Sequence, residues 1–258
     1  MKAVILAGGL GTRLSEETVS KPKPMVEIGG KPILWHIMKI YERYGYSEFI
    51  ICLGYRAEMI KKYFLDYQLL NSNFTINTLS NEIEVISPSI DNFKVTLVDT
   101  GELTNTAGRI SRIREYVKNE QFMLTYGDGV ADIDINKLLR HHNESGKIAT
   151  LTAIQLPGRF GGLVIDKNDE VSDFNEKPTG DGHWVNGGFF VLNPEVFDYL
   201  DGDLDNVQWE KGPLVSITNS NQLSAYRHNG FWKPMDALRD KIELEELWRC
   251  EKAPWKNW

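Results

Sequence analysis

Short apolar runs alternate with amphipathic segments through the first half of the chain. Residues 2–7 form one mostly apolar run, which ends in glycines, and residues 48–53 form a second. A run of this kind predicts a strand that is buried on both faces of a sheet. Between the two runs, Pro32 opens a segment whose apolar residues recur at helical spacing until Gly45. A second helical pattern follows residue 53, and this alternation predicts a parallel sheet covered by helices.

The alternation is less regular beyond the second predicted helix. Residues 71–92 are polar and weakly patterned, which indicates an excursion from the core. Strands are predicted again at residues 95–99 and 122–126, with a helix from about Arg109 between them. Short strands separated by glycine turns follow, which indicates additional antiparallel strands over a site. A final helix is predicted over about residues 237–250.

These patterns together predict an α/β fold. We expect a Rossmann-like, mixed but mostly parallel sheet that is flanked by helices, with additional short antiparallel strands over the site. Three tryptophans, Trp248, Trp255 and Trp258, lie near the C-terminus, which is more than an ordinary exposed surface carries. We expect them to pack within the chain, with a neighbouring subunit as the alternative.

Size and composition narrow the class of protein. The 258 residues, 41% of them hydrophobic, are enough for a full core in one large domain or two small ones. A net charge of -7 implies no basic face, so we expect no nucleic-acid partner. The two cysteines form neither a metal-ligand cluster nor a disulfide framework. No segment has the pattern of a membrane span or a secretory signal, so a cytoplasmic protein without a membrane partner is expected.

A glycine-rich loop directly follows the first predicted strand. Glycines at 8, 9 and 11 let backbone N–H groups approach an anion closely, so the loop predicts a phosphate site. It is not the dinucleotide fingerprint, because Leu14 stands where the third glycine is required and no acid for a ribose follows the second strand. It is not a P-loop either, because no Gly-Lys-Ser/Thr follows. A glycine turn without a ligand is the alternative for this loop alone.

Two cations near the loop have side chains that suit phosphate. Arg13 offers a planar, permanently charged fork, and Lys23 offers a point charge. An ordinary solvated loop is the alternative for a lysine taken by itself. Thr12 either caps local backbone or contacts a ligand.

Two aspartates stand where a metal-bound phosphate is expected. Asp128 directly follows the strand at 122–126, and ligands in open α/β sheets bind at the carboxyl ends of strands. Asp236 precedes the last predicted helix, where a helix cap is the ordinary role of an aspartate, just as Asp128 suits a turn. Mg²⁺ typically takes one or two carboxylates and fills its remaining positions with phosphate oxygens and water. From the residues alone, a turn role for Asp128 and a cap role for Asp236 stay open beside metal binding.

The combination of these motifs resembles the sugar-phosphate nucleotidyltransferase family. The resemblance rests on Gly11-Thr12-Arg13, on Lys21 to Met25 and on Gly30-Lys31-Pro32, and it extends through nearly the whole chain. It is strongest in residues 20–41 and 225–241. In these two segments, the resemblance implies CTP and glucose 1-phosphate as substrates, and CDP-glucose and pyrophosphate as products.

The resemblance also implies roles for individual residues. It makes Arg13, Lys23 and Asp128 catalytic, and it places Mg²⁺ on Asp128 and Asp236. The residues that it assigns to the nucleotide are Leu6, Ala7, Gly8, Gly9, Leu10, Gly11, Thr12, Arg13, Lys23, Thr104, Gly108 and Arg109. The residues that it assigns to the sugar phosphate are Glu176, Lys177, Asn186 and Gly187. Without the resemblance, Glu176 and Lys177 would be a surface pair and Arg109 a cation at a helix start.

These roles imply in-line attack by a phosphate oxygen of the sugar 1-phosphate on the α-phosphorus of CTP. Because the nucleophile is already ionised, positioning and charge neutralisation replace a strong general base. Two alternatives stay open: the same chemistry with UTP, dTTP or GTP, and a regulator that binds a sugar nucleotide without turnover. The charged positions that are retained disfavour the regulator.

The resemblance further implies how the protein is organised. We expect a single nucleotidyltransferase domain over residues 1–258, with a nucleotide-binding half of about 1–130 and a sugar-phosphate-binding half of about 131–258. We also expect a homo-oligomer. Its product would supply deoxysugars for bacterial lipopolysaccharide O-antigen.

Overall fold

The computed structural model describes residues 1–11, 14–18, 21–87, 91–156, 162–165, 167, 170–175 and 183–258, without the side chains of residues 15, 16, 162–165 and 173–175. The strands in this part of the chain are β1 (Ala3–Leu6), β2 (Glu27–Ile28), β3 (Lys31–Pro32), β4 (Glu48–Leu53), β5 (Asn73–Asn77), β6 (Glu82–Ser87), β7 (Lys94–Asp99), β8 (Phe122–Tyr126), β9 (Gly129–Ala131), β10 (Ala149–Ile154), β11 (Gly162–Ile165), β12 (Val171–Asn175), β13 (Val185–Leu192), β14 (Leu223–His228) and β15 (Trp232–Pro234). The helices are α1 (Ser15–Thr18), α2 (Ile33–Glu42), α3 (Ala57–Leu65), α4 (Tyr67–Leu70), α5 (Thr106–Ser111), α6 (Arg114–Val117), α7 (Ile135–Ser145), α8 (Pro213–Asn219) and α9 (Leu238–Arg249). Two further short segments, Lys23–Met25 and Pro194–Tyr199, form 3-10 turns. Over the described ranges, no helix combines the length and apolar character needed to cross a bilayer.

Seven of these strands form one central sheet, in the order β14-β10-β13-β8-β1-β4-β7. β1 pairs in parallel with β4 on one side and β8 on the other, and β7 continues the parallel run beyond β4. β13 runs antiparallel to both of its neighbours, β8 and β10, and β14 lies parallel to β10. The predicted α/β fold with a mixed, mostly parallel sheet is confirmed.

The strands predicted over the site divide into two groups. β11 and β12 pair with each other in a separate antiparallel ribbon. β10 and β13 instead extend the central sheet, and β13 pairs with β8 along residues 189–192. All four of those residues are buried, so this strand needs cover on both faces, which the interior of the main sheet provides.

Two hydrophobic cores lie on the opposite faces of the sheet. Successive side chains of a strand point to opposite faces, and β1 follows this rule. Ala3 and Ile5 belong to one core, while Val4 and Leu6 belong to the other. The first strand is therefore buried on both faces, as its continuous apolar sequence predicts.

Three further sequence predictions concern the polar stretch, the helix near Arg109 and the last helix. The polar stretch near residues 71–92 contains the exposed hairpin of β5 and β6, which agrees with an excursion from the core. The helix predicted from about Arg109 begins earlier, at Thr106, because the Asn105 side chain accepts a hydrogen bond from the Thr106 N–H and caps the helix. The predicted last helix corresponds to α9.

The tryptophans of the tail pack within the chain, around a buried histidine. Trp255 is fully buried, and its Nε1–H donates to Nδ1 of His36 at 3.4 Å. The rings of Trp248 and Trp258 lie 4.8 and 6.3 Å from the imidazole. Nε2 of His36 pairs with the carbonyl oxygen of Ile28 at 2.8 Å, so the ring is neutral with its proton on Nε2. Burial lowers the pKa of His36 to about 4.

The depressed pKa of His36 predicts a pH dependence of stability. The unfolded chain takes up the proton near the ordinary value of 6.5, whereas the folded protein does so only near 4. The stabilisation is therefore complete above pH 6.5 and is lost as the pH falls to 4, by about 3 kcal/mol in total. Urea unfolding of the wild type and of His36→Gln, repeated between pH 4 and pH 6.5, measures how steeply the free energy of unfolding of each protein depends on pH. Exposed His183→Gln is the control, and parallel profiles for His36→Gln and the wild type would contradict the assignment.

Candidate active site

A cavity of about 560 Å³ opens at the carboxyl ends of β1 and β8. This is the edge of an open α/β sheet where ligands bind. The predicted residues that line it are Leu6, Ala7, Gly8, Gly9, Gly11, Lys23, Thr104, Arg109, Asp128, Asn186 and Asp236. The topology thus gathers residues from the glycine loop, from the strand ends and from the C-terminal third around one space.

The other predicted residues fall into two groups. Leu10 is 47% exposed, while Gly108 and Gly187 are buried, and none of the three lines the cavity. Gly108 packs against Thr104, where an added Cβ would lie 2.6 Å from the threonine methyl. Thr12, Arg13, Glu176 and Lys177 lie outside the described residues, so their predicted roles stay predictions.

Two adjacent glycines of the loop, Gly8 and Gly9, differ in the space that surrounds them. A Cβ added at Gly8 would lie 2.1 Å from Nη1 of Arg109, so this position has no room for a side chain. A Cβ at Gly9 would meet no protein atom within 4 Å, and Gly9 lines the cavity. Gly11 has a φ of +65°, a conformation that favours glycine. Gly9 therefore leaves space on the ligand side of the loop, whereas Gly8 is required by the fold.

Arg109 ties the strand ends together beneath the loop. Its guanidinium is buried and donates at 2.8 Å to the carbonyl oxygens of Leu53 and Gly101 and to the hydroxyl of Thr100. A further bond of 2.8 Å reaches the carbonyl oxygen of Gly8. These acceptors follow or end β1, β4 and β7, so one side chain holds three strand ends in register. The contacts place Arg109 as a support of the loop, and its predicted contact with a nucleotide stays a prediction.

Lys23 lies between the two predicted metal ligands. Its Nζ is 2.7 Å from Oδ2 of Asp128 and 2.6 Å from Oδ1 of Asp236. The pairing of β9 with β15 brings these carboxylates together, and the Met235 N–H donates to the Asp128 carbonyl oxygen at 2.7 Å. The lysine side chain is 10% exposed. Three residues that are distant in sequence therefore form one compact ion cluster.

Asp236 does not cap the helix that follows it. Ala237 is the N-cap residue of α9, and the Asp240 side chain accepts from the N–H groups of both Asp236 and Ala237. The Asp236 carboxylate points instead to Lys23 in the cavity wall. The capping alternative for Asp236 is therefore not what the structure shows.

The carboxylate pair fits a magnesium ion. Both carboxylates reach one ammonium, so the space between them already suits a positive charge. In the described stretches, no three His, Cys, Asp or Glu side chains come together as a metal site. Asp128 and Asp236 would supply two oxygen ligands, and Mg²⁺ typically fills its remaining positions with phosphate oxygens and water.

Sequence reasoning missed several polar residues of the cavity wall. Tyr126 and Glu210 both line the cavity, and the Tyr126 hydroxyl donates to Oε1 of Glu210. Thr106 also lines it and bonds the other oxygen of Glu210. Tyr126 immediately precedes the Gly-Asp-Gly segment, so its position at the end of a predicted strand could have identified it as a site residue. Glu210 lies in a segment without periodicity, and no pattern singles it out.

Comparison with known proteins agrees with this architecture. The family model described as nucleotidyl transferase matches residues 2–233. Glucose-1-phosphate cytidylyltransferase of Salmonella typhimurium is 56% identical over 259 residues, with 100% of both chains covered. A probable glucose-1-phosphate cytidylyltransferase of Bacillus subtilis is 45% identical over 258 residues, again with 100% of both covered. The structure of a UDP-glucose pyrophosphorylase with UDP-glucose is similar in fold, with a TM-score of 0.68 at 17% identity, covering 97% of this chain and 98% of the other.

The chain therefore belongs to the nucleotidyl transferase family. The match extends over the glycine loop, Lys23 and Asp128, and the full-length relatives include the region of Asp236. The family resemblance expected from the sequence is confirmed.

The two glycines of the loop give a matched test of the site. We expect Gly9→Ala to leave the melting temperature unchanged but to raise the KM for the nucleotide about 10-fold, because the methyl group enters the ligand space. Gly8→Ala should lower the melting temperature, because its Cβ collides with the anchored Arg109. Thermal unfolding and steady-state kinetics on both variants make the measurement. A Gly9→Ala enzyme with normal nucleotide KM would argue against the loop as the phosphate site.

Proposed function

We propose that the protein transfers a cytidylyl group from CTP to glucose 1-phosphate, which yields CDP-glucose and pyrophosphate. The observation that carries the proposal is the full-length identity of 56% to a glucose-1-phosphate cytidylyltransferase. The cavity supports it independently, because its glycine loop suits phosphate and its two carboxylates suit the divalent ion that accompanies a nucleoside triphosphate.

The electrostatic problem of this reaction is the approach of two anions. Lys23 contributes one positive charge and the two aspartates contribute two negative charges, so this cluster by itself is net negative. It would repel a triphosphate unless a further cation entered. A divalent ion reverses the sign of the cluster, which is a physical reason to include Mg²⁺ in the proposal.

The residues have distinct roles in this scheme. Asp128 and Asp236 would hold Mg²⁺, which when bound neutralises phosphate oxygens. Lys23 would then turn from the carboxylates to the phosphates of the nucleotide. Arg13 is proposed to hold the same phosphates, and Lys177, with Glu176, is proposed to orient the sugar phosphate. Since the nucleophile is an ionised phosphate oxygen, none of these residues has to remove a proton.

The setting of the enzyme completes the proposal. CTP and glucose 1-phosphate are its partners, and neither nucleic acid nor a membrane is one. We propose a single-domain, cytoplasmic homo-oligomer whose product supplies deoxysugars for a surface polysaccharide such as the O-antigen. Resemblance to the family supports these points.

Pyrophosphate release tests the choice of nucleotide. We expect kcat/KM with CTP to exceed that with UTP, dTTP or GTP by at least about 10-fold when each is supplied with glucose 1-phosphate and Mg²⁺. Mannose 1-phosphate with CTP is the matched control for the sugar. Faster turnover with another triphosphate would change the nucleotide assignment. Binding of CDP-glucose without any pyrophosphate release would favour the non-catalytic regulator.

A further inference from the structure

A connected set of polar side chains lines one wall of the cavity. The amide Nδ2 of Asn186 donates to the hydroxyl oxygen of Tyr126 at 3.2 Å, and the Tyr126 hydroxyl donates to Oε1 of Glu210. The Thr106 hydroxyl donates to the other carboxylate oxygen, Oε2, at 3.2 Å. All four residues line the same cavity as the glycine loop and the ion cluster. These four side chains therefore form one continuous hydrogen-bond network.

The direction of each hydrogen bond in this wall is fixed. The Tyr126 hydroxyl donates to Oε1 of Glu210, because an ionised carboxylate can only accept. Oδ1 of Asn186 accepts from the Gly188 N–H at 2.8 Å, which turns its NH₂ group toward Tyr126. The Thr106 oxygen accepts from the Trp209 N–H at 2.7 Å, which leaves its proton for Glu210. The wall thus presents an amide donor and a carboxylate acceptor that share one phenol.

Packing keeps this arrangement rigid. A Cβ added at Gly188, where φ is +79°, would lie 2.5 Å from the Tyr126 ring, so glycine makes the space that the ring occupies. Phe190 holds the other side of the ring in an edge-on contact, with the centroids 5.9 Å apart. Because Asn186 and Glu210 bond the same phenol oxygen, they lie no farther apart than two hydrogen bonds. That spacing suits two hydroxyls on neighbouring carbons of a sugar ring.

The chemistry of the two groups is complementary to a diol. An amide N–H gives a hydrogen bond to a hydroxyl oxygen, and a carboxylate takes one from a hydroxyl proton. Both oxygens of Glu210 already accept one bond, but a carboxylate has about four acceptor positions. Glu210 therefore retains acceptor capacity toward the cavity, with its orientation set by Tyr126 and Thr106.

We propose that Glu210 is a sugar-selecting residue, whose carboxylate accepts a hydrogen bond from a hexose hydroxyl next to the one that Asn186 binds. The inference rests on the proposed function, because it takes the ligand of this wall to be the hexose of the sugar phosphate. Tyr126 is a positioning residue, which orients both groups without being assigned a contact to the sugar.

The first test separates the sugar from the nucleotide. Glu210→Gln should raise the KM for glucose 1-phosphate about 10- to 100-fold while the KM for CTP changes less than about twofold, since a hydrogen bond to a charged group is lost. Glu195→Gln is the matched control, because Glu195 is exposed and does not line the cavity. A rise confined to the KM for CTP would overturn the inference and indicate that the carboxylate accepts from the cytosine amino group. No change in either KM would also overturn it.

The second test identifies the hydroxyl by removing it from the substrate. The 2-, 3-, 4- and 6-deoxy analogues of glucose 1-phosphate are compared in the wild type and Glu210→Gln. For one analogue we expect the two enzymes to have nearly equal kcat/KM, because the contact is already absent. An undiminished difference for all four analogues would overturn the inference.

A third variant keeps the inference testable if Glu210→Gln does not fold. Tyr126→Phe retains the packed ring but removes the shared hydroxyl, and we expect a smaller rise in the same KM, with the KM for CTP unchanged. An unchanged KM for glucose 1-phosphate in a folded Tyr126→Phe would overturn the positioning role. The wild type is measured in the same assay. Its failure to form CDP-glucose would overturn the proposed function as well, whereas normal formation with no effect of the variants would overturn the inference alone.

Discussion

The ion cluster of Lys23, Asp128 and Asp236 is the interaction on which the site depends. Removal of Lys23 would leave two carboxylates, each 31% exposed, without their shared counter-charge, whereas removal of either carboxylate would leave a neutral pair. The cluster also joins the segment after the glycine loop to β9 and β15, which are far apart in sequence. In the proposed scheme, a divalent ion would bind the two carboxylates of this cluster.

Two further groups of hydrogen bonds line the rest of the cavity. In the first, the buried Arg109 guanidinium donates to backbone oxygens, including that of Gly8 in the glycine loop. In the second, Tyr126 orients Asn186 and Glu210 through a single hydroxyl. The cavity therefore combines a glycine loop and an ion cluster with an amide and a carboxylate, and such groups suit the phosphate and the hydroxyls of a sugar phosphate.

The sequence predicted the elements whose signal is local. The strands at 3–6, 48–53 and 122–126 follow from apolar runs, and Asp128 follows from its place at a strand end. Features formed by distant segments were not predictable in this way. The insertion of β13 between β8 and β10 depends on pairing across the whole sheet, and Glu210 joins Tyr126 across 84 positions of sequence. The role of Arg109 in supporting the glycine loop was not predictable either, because it depends on backbone carbonyl oxygens, which every residue has.

Binding of Mn²⁺ without nucleotide, followed by electron paramagnetic resonance, tests the central claim most directly. If Lys23 and a divalent ion compete for the same two carboxylates, Lys23→Met should bind Mn²⁺ at least about 10-fold more tightly than the wild type. Lys62→Met, which removes an exposed lysine paired with Asp66, should leave the affinity unchanged. Asp128→Asn should weaken binding in either background. Equal or weaker Mn²⁺ affinity in Lys23→Met would contradict the account.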